Sequence, residues 1–290
     1  HEINSGSYLF KTDFLLEALS HLGCDNAQGE YYLTDTVRAA VRAGKGVCAY
    51  CSPNADIAQG ANDRRGLLRL GNIARMRVLE RLMDAGVQIL STDGVLISPD
   101  AEIGRDTQIY PNVIIRGRSR VGEGCVLTSG TFITDSVIGD GALINASQIT
   151  SSTVGDGARI GPFSQLRPDS RIGKGVKIGD FVEVKNSTVG EKTSIAHLTY
   201  IGDSDVGERV NFGCGTVTSN YDGKRKYRTV IGNNVFIGCN TNLIAPVTIG
   251  DGAYTPAGST ITDDVPDDAL AIARERQTVK PGGAVKYRKN

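Results

Sequence analysis

The 290-residue chain has an ordinary globular composition, with 40% hydrophobic and 22% charged residues. Its 32 basic residues balance its 32 acidic residues, which gives no electrostatic case for a nucleic-acid partner or an anionic membrane surface. No apolar run approaches the ~18 residues that a membrane span needs. Six cysteines without disulfide-framework spacing predict reduced thiols and a cytoplasmic protein.

The first ninety residues combine helical patterns with short strand-like segments. Strands are predicted at 3–10 and 47–50, and helices at 13–22 and 34–42. From Asn62 to Ala85 apolar residues recur at helical spacing, with Asn62 or Asp63 as N-cap and Gly86 as the stop. We therefore expect a small α/β unit and a long helix that links it to the rest of the chain.

Between residues 103 and 261 an aliphatic residue recurs at every sixth position, often followed by glycine. The step holds over 103–133, 154–184 and 231–261, with single-residue contractions between these runs. A period of six fits neither an α-helix nor an alternating strand, but it fits a short strand plus a tight corner. Three such units close one coil. The pattern predicts a mainly β protein, a left-handed parallel β-helix of hexapeptide repeats with about nine coils.

Residues 219–230 interrupt the repeat with a polar, basic segment that has no inward aliphatic residue. We expect this segment to loop out, and long excursions from a rigid scaffold usually carry function. After residue 262 the chain becomes charged and contains proline and glycine, which predicts a non-globular tail. The expected domains are therefore 1–90, 91–262 and 263–290.

Three polar residues of the repeat are candidates for chemistry. His197 lies two residues after a core position, which places it near a corner, and imidazole exchanges protons near neutral pH. Arg167 and Lys185 each follow an inward residue and are one coil apart, and two stacked cations suit a phosphate. A single histidine is more often structural, and solvated surface cations give the same spacing, so position alone leaves both roles open.

Six ordered blocks of the chain resemble the bifunctional glucosamine-1-phosphate acetyltransferase/N-acetylglucosamine-1-phosphate uridyltransferase family of bacterial cell-envelope precursor synthesis. The blocks are GPFSQLRP (161–168), GDFVEVKN (179–186), HLTYIG (197–202), NFGCGT (211–216), NYDG (220–223) and ALAIAR (269–274). The resemblance covers essentially the whole chain, and so many ordered blocks are far more specific than a hexapeptide repeat alone.

The resemblance implies N-acetylation of glucosamine-1-phosphate by acetyl-CoA, on the route to UDP-N-acetylglucosamine. It makes His197 the general base and gives Asn220, with Asn211, the task of orienting substrate and intermediate. The residues implied to hold the sugar phosphate are Arg167, Lys185, Tyr200 and Lys226. Those implied to contact acetyl-CoA are Cys214, Asn220, Tyr221, Cys239, Ala257 and Arg274. Positions 214 and 239 are often Ala and Ser in the family, which is trimeric, with each acetyl site formed between prisms.

The N-terminal blocks 2–6, 26–35 and 61–64 resemble the end of the family's uridyltransferase domain. Asn4 matches a UDP-sugar contact and Asn62 a magnesium ligand. The Gly-rich nucleotide loop of that domain has no match in the chain, and one amide oxygen cannot hold magnesium against water. The chain also begins without methionine in a strand-like pattern. We expect a truncated form in which uridyl transfer is absent.

Two alternatives stay open. The chain could be part of an intact bifunctional enzyme that also makes UDP-N-acetylglucosamine from UTP, which an upstream Gly-rich loop would establish. It could also be a catalytically silent trimeric scaffold, which acetyl-CoA titration by calorimetry would separate from an enzyme.

Overall fold

A computed structural model describes residues 3–288, so His1, Glu2 and the last two residues lie outside it. Residues 3–73 and 74–288 form two compact units. The helices are α1 (Thr12–Ser20), α2 (Thr34–Arg42) and α3 (Arg64–Asp84), with 3-10 helices at Ala55–Ala58 and Gly283–Tyr287. Within the described residues, no helix combines the length and the apolarity required to cross a bilayer.

The helices of the N-terminal part follow the sequence patterns closely, but the two strands do not form. The carboxylate of Asp63 accepts the N–H of Gly66 at 2.6 Å and so caps α3, and Gly86, just beyond the helix, adopts a positive φ of 93°. The strands predicted at 3–10 and 47–50 are wrong. An extended segment becomes a strand only by pairing with a neighbour, and the described residues of this unit provide none.

Twenty-nine short strands form the remainder of the regular structure in the described chain. They are β1 (Gln88–Ile89), β2 (Leu96–Ile97), β3 (Glu102–Ile103), β4 (Gln108–Ile109), β5 (Ile114–Arg116), β6 (Arg120–Val121), β7 (Val126–Leu127), β8 (Phe132–Thr134), β9 (Val137–Ile138), β10 (Leu143–Ile144), β11 (Gln148–Thr150), β12 (Thr153–Val154), β13 (Arg159–Ile160), β14 (Gln165–Leu166), β15 (Arg171–Ile172), β16 (Lys177–Asp180), β17 (Glu183–Lys185), β18 (Thr188–Val189), β19 (Ser194–His197), β20 (Tyr200–Gly202), β21 (Ser204–Val206), β22 (Asn211–Phe212), β23 (Val217–Ser219), β24 (Thr229–Ile231), β25 (Phe236–Ile237), β26 (Asn242–Ile244), β27 (Val247–Ile249), β28 (Tyr254–Thr255) and β29 (Thr260–Ile261).

Every third strand belongs to the same parallel sheet. Strands β1, β4 and so on to β28 form the first sheet, β2 to β29 the second and β3 to β27 the third. The three sheets are the faces of the predicted left-handed β-helix. It has about ten coils rather than nine, because pairing already begins at β1. The sixfold step is broken there, since Ile97 lies eight positions after Ile89.

The aliphatic positions of the repeat form the interior of the prism, as predicted. On the first sheet Ile144, Ile160, Ile178 and Ile195 lie in register and are almost completely buried. Each such side chain contributes about 1.5–3 kcal/mol on burial. Because the interior ladder is continuous, it fixes which residues of every coil face outward at the corners.

The chain forms part of a further coil after β29. The N–H groups of Gly250, Tyr254 and Thr260 donate to the carbonyls of Val265, Ala269 and Ala273 at 2.8, 2.9 and 3.0 Å, and Val265 is buried. Residues 265–273 therefore cover the last complete coil.

Residues 220–228 leave the prism between β23 and β24, as predicted; this segment is called the excursion below. Its two limbs form an antiparallel bridge between Tyr221 and Lys226. Beneath it the coils remain in register, with Asp205 paired to Val230. The excursion is thus an insertion into an intact coil.

Candidate functional site

His197 is held at a corner of the prism by a carboxylate on the preceding coil. It ends β19 and pairs in register with Asp180, which ends β16. The two side chains approach to 2.8 Å between Nδ1 and Oδ1. Because a carboxylate only accepts, Nδ1 carries the hydrogen, and the neutral ring keeps its lone pair on Nε2. The hydrogen bond from His197 is the main cause that lowers the pKa of Asp180.

On the coils that follow His197, the same corner position is occupied by small residues. Cys214, Cys239 and Ala257 occupy the equivalent position on the next three coils, each two residues after a paired strand position. At the far end Arg274 donates to the carbonyl of Ala257 at 2.6 Å. Successive coils lie ~4.8 Å apart. The corner therefore forms a track of small side chains that begins at His197 and ends at a guanidinium.

Two lysines from distant parts of the sequence meet beside the second sheet. Lys185 ends β17, and Lys226 reaches it from the excursion. The hydrogen-bonding contact with Lys226 is the largest cause that lowers the pKa of Lys185; loss of solvent acts the same way, and Asp203 opposes both. Two ammonium groups in contact repel each other. An anion with two or more charges would relieve that repulsion.

Arg167 and Tyr200 border the lysine pair. Arg167 follows Leu166, whose partner on the next coil is Val184, so Arg167 lies beside Lys185 as its spacing predicts. The guanidinium forms an ion pair with Glu183 at 2.7 Å. That hydrogen bond is the main cause that raises the pKa of Arg167, and Tyr200 adds to it. Arg167 therefore enters the site already paired with one carboxylate, with further N–H donors remaining.

The ring of Tyr200 lies over Gly202, two residues along the same strand. A Cβ built on Gly202 would lie 2.3 Å from the Tyr200 hydroxyl oxygen. Gly202 is also the register partner of Lys185. The missing side chain at 202 thus lets the Tyr200 hydroxyl approach the strand that carries Lys185.

Two carboxylates at this site were not found from the sequence. Asp203 is buried and accepts hydrogen bonds from the side-chain amides of Asn186 and Asn220. It lies one residue beyond the matched block 197–202. Asp180 lies inside a matched block, but only its distance of seventeen residues from His197, about one coil, was a signal for pairing.

The other candidate residues are exposed. Asn211 lies on β22, next to the strand that carries His197, with Ser194 and Phe236 as register partners. Tyr221 lies in the excursion, where its hydroxyl donates to the carbonyl of Gly223 at 2.7 Å. Both face solvent in the single chain.

Asn4 and Asn62 belong to the N-terminal unit. The Asn4 amide donates to the Tyr8 hydroxyl at 2.5 Å, and its carbonyl oxygen accepts the N–H of Gly6, so it closes a local turn. Residues 3–288 contain no group of three His, Cys, Asp or Glu side chains arranged to hold a metal ion. The amide oxygen of Asn62 is by itself too weak a donor to hold magnesium against water.

Comparisons with known protein families support the hexapeptide repeat. A family model described as the GMPPB C-terminal domain matches residues 91–160 and 148–245, more than half of the chain. A model described as bacterial transferase hexapeptide (six repeats) matches residues 228–263.

Curated relatives match along almost the whole chain. "Bifunctional protein GlmU" of Clostridium botulinum (strain Langeland) is 49% identical over 282 residues, which are 97% of this chain and 62% of that protein. "Bifunctional protein GlmU" of Halalkalibacterium halodurans is 50% identical over 279 residues, 96% of this chain and 61% of that protein. The chain thus spans less than two thirds of the length of these relatives.

Solved structures are more distant. The UDP-N-acetylglucosamine acyltransferase of Francisella novicida is 17% identical, with 64% of this chain and 67% of that chain covered and a TM-score of 0.38. The enzyme of that name from Arabidopsis is 18% identical, with 67% and 75% covered and a TM-score of 0.39. Neither likeness carries an argument about function. The family-model match and the curated relatives together show that the chain belongs to the GMPPB C-terminal domain family and confirm its resemblance to the bifunctional GlmU proteins.

Proposed function

We propose that this chain transfers an acetyl group from acetyl-CoA to the amino group of glucosamine-1-phosphate, with His197 as general base. The observation that carries the proposal is the Asp180–His197 hydrogen bond, which leaves Nε2 as the proton acceptor at the start of the small-residue track. Relatives named as bifunctional GlmU proteins and a matching transferase hexapeptide model support the same assignment.

In this reaction His197 moves one proton. Its Nε2 takes the proton from the sugar amine as the N–C bond to the acetyl carbonyl forms. The C–S bond then breaks, and Nε2 returns the proton to the leaving sulfur of CoA. Asp180 stabilises the imidazolium that exists between the two transfers, because its carboxylate already accepts from Nδ1.

The lysine pair is the proposed site of the sugar phosphate. A phosphate dianion between Lys185 and Lys226 would replace repulsion between two ammonium groups with two charge-assisted hydrogen bonds. Arg167 and the Tyr200 hydroxyl would add donors from one side. Asn220, at the start of the excursion, would orient the acceptor near the reacting atoms, and Asn211 would do so from β22.

Acetyl-CoA supplies the acetyl group as a thioester, and the corner track is its proposed binding site. The side chains of Cys214, Cys239 and Ala257 are small enough for an extended arm to lie along the coils. Arg274, whose guanidinium is fixed on the carbonyl of Ala257, would pair with a phosphate of the nucleotide end. Asn220 and Tyr221 would close the track from the excursion.

We propose that the chain works as a homotrimer. Phe163, Phe181 and Leu198 are exposed on three successive coils at the corner beside His197, and the two phenyl rings stack at 5.8 Å. A row of exposed apolar side chains is typical of an interface. Phe181→Glu should convert the trimer to monomer in sedimentation, whereas Phe132→Glu, three coils away on the second sheet, should not. A wild-type monomer at micromolar concentration would contradict the proposal.

The test of function is CoA release with glucosamine-1-phosphate as acceptor. His197→Ala should lower kcat by about 10²–10⁴-fold, the usual contribution of a general base, with circular dichroism and oligomeric state unchanged. His21→Ala is the matched control, since His21 is exposed at the end of α1, and it should retain full activity.

Two results would reject the proposal. Full activity of the His197→Ala variant would exclude the base role, and no CoA release by the wild type with this acceptor would exclude the substrate. Calorimetry with acetyl-CoA then separates a different transferase, which binds it, from a silent scaffold, which does not.

A further inference from the structure

We propose that Asp203 is a positioning residue of the transferase site, whose buried carboxylate fixes the excursion over Lys185; this inference rests on the function proposed above. Asp203 occupies the corner between β20 and β21, with a positive φ of 47° and 5% of its surface exposed. Burying a carboxylate is costly unless its oxygens accept hydrogen bonds. Its contacts therefore identify what it holds in place.

Both oxygens of Asp203 accept from side-chain amides. The amide of Asn186, from the preceding coil, donates to Oδ1 at 2.5 Å, and the amide of Asn220 donates to Oδ2. A carboxylate has no hydrogen to donate, so each asparagine must turn its Nδ2 toward it. The Oδ1 of Asn220 is therefore turned away from Asp203 and kept in one orientation.

The same residue contacts both ends of the excursion. Asn220 is its first residue, and the N–H of Thr229, the first residue after it, donates to the Asp203 carbonyl at 3.2 Å. The Asp203 N–H in turn donates to the carbonyl of Lys185 at 3.0 Å. One corner residue thus connects the two ends of the excursion to the strand that ends in Lys185.

The charge of Asp203 has a second effect. Lys185 is faced by Lys226 from the excursion and by Arg167, the residue after β14, and both lower its pKa, whereas Asp203 raises it. A lowered pKa means that Lys185 loses its proton, and with it the attraction for phosphate, at a lower pH than an ordinary lysine. Asp203 thus keeps the phosphate site charged to higher pH.

Three variants separate these roles. Asp203→Ala removes both the hydrogen bonds and the charge. Asp203→Asn removes the charge alone, because the new amide can accept from Asn220 and donate to Asn186 once Asn186 turns over. The matched control is Asp135→Ala, since Asp135 also lies at a corner with positive φ, 45°, and its carboxylate accepts the N–H of Arg118 at 3.1 Å.

The kinetic readout is CoA release with glucosamine-1-phosphate. Asp203→Ala should lower kcat/KM by about a hundredfold, the loss expected when catalytic groups shift by about 1 Å, and Asp135→Ala should not. Asp203→Asn should keep its KM at pH 7 but move the rise of KM at alkaline pH to lower pH, because the negative charge that raises the pKa of Lys185 is gone.

A second measurement, limited proteolysis by trypsin, does not depend on enzymatic activity. Trypsin cleaves after lysine and arginine, and the excursion carries both at 224–226. Asp203→Ala should speed cleavage there by about tenfold, since a segment without its anchor opens more often. Cleavage of Asp135→Ala should match the wild type.

The outcomes are distinct. Wild-type kcat/KM and wild-type cleavage in Asp203→Ala would overturn the proposal. An unchanged pH dependence of KM in Asp203→Asn would overturn its electrostatic part. Faster cleavage of Asp203→Ala combined with an inactive wild type would reject the transferase function and still support the anchoring role of Asp203.

Discussion

His197 and Asp180 show how the repeat produces a catalytic pair without any local motif. Each residue ends a strand of the first sheet, and one coil of chain separates them. Because successive coils are in register, residues about one turn apart become neighbours, as residues four apart do in a helix. The pair is exposed, so water screens its ion pairing. Its value therefore lies in fixing the ring and its tautomer rather than in stability.

Asp180→Asn tests that role. An amide can bind Nδ1 in either orientation, so the ring is no longer held with Nε2 as acceptor, and kcat should fall by about 10–100-fold with both KM values nearly unchanged. The pKa of Asp180 is lowered by the hydrogen bond from His197, so this carboxylate is charged from neutral pH down through the ordinary carboxylate range. Protonation of Asp180 itself should therefore contribute nothing to the pH dependence of wild-type kcat between about pH 6 and pH 8.

The control for this variant is Asp156→Asn. Asp156 accepts a backbone N–H, that of Asp140, at 3.1 Å, and has no histidine partner among residues 3–288. It should retain wild-type kinetics. A wild-type kcat in Asp180→Asn would show that His197 needs no orienting carboxylate.

At the scale of strands, two glycines allow close contacts with different consequences. Gly179 makes room for the backbone of the adjacent strand, whereas Gly202 makes room for a side chain of the proposed site. A Cβ at Gly179 would lie 1.9 Å from the backbone carbonyl oxygen of Ala196 on the adjacent strand, whereas at Gly202 its three nearest atoms would all belong to the Tyr200 side chain. A backbone atom cannot move without distorting the coil, but a side chain can turn away. The two substitutions should therefore have different consequences.

Gly179→Ala should lower the free energy of unfolding by about 1–3 kcal/mol, the usual cost of overpacking. Gly202→Ala should leave stability nearly unchanged and raise KM for glucosamine-1-phosphate, because the Tyr200 hydroxyl is displaced. Denaturant unfolding and CoA-release kinetics measure the two effects. In a Tyr200→Ala background the added Gly202→Ala should change KM no further, and an additive effect would contradict the mechanism.

Most strands of the prism were predictable because one rule, an inward aliphatic at every sixth residue, specifies them. The excursion was also predictable, because the repeat of inward aliphatic residues is interrupted there. The rule did not detect the first coil, where the spacing lengthens between Ile89 and Ile97, or the partial coil at 265–273, whose inward residues are too few to form a pattern. The strands expected at 3–10 and 47–50 required partners that a local pattern cannot reveal.

The site was predictable only in part. The stacking of Arg167 and Lys185 follows from their spacing, and the corner position of His197 follows from Ile195. The contact between Lys185 and Lys226 depends on how the excursion folds back, which the repeat does not specify. Asp203 resembles any polar corner residue in sequence, and only its burial and its two amide donors mark it as different.

At the scale of the whole molecule, the partial coil at 265–273 protects the end of the prism. The N–H groups of Gly250, Tyr254 and Thr260 in the last coil are paired with it, and unpaired strand edges promote association with other chains. Arg274 follows directly, so the same segment covers the interior and completes the proposed acetyl-CoA track.

A chain ended after Thr262 should melt about 5–10 °C lower than the full chain and should aggregate, because Ile249 and Ile261 lose their cover. A chain ended after Arg276 keeps the partial coil and is the control; it should melt like the full chain. Thermal unfolding with light scattering measures both. Equal melting temperatures for the two truncations would show that residues 263–276 do not stabilise the prism.

The direct pairing of Asp205 with Val230 beneath the excursion means that the coil closes regardless of how many residues the loop contains. Doubling the loop would add only about 0.6 kcal/mol of closure entropy. The prism can therefore accept longer, shorter or entirely different segments at 220–228 without repacking. Replacing this one loop would therefore change the proposed contacts of Asn220 and Lys226 with the acceptor and leave the interior of the prism intact.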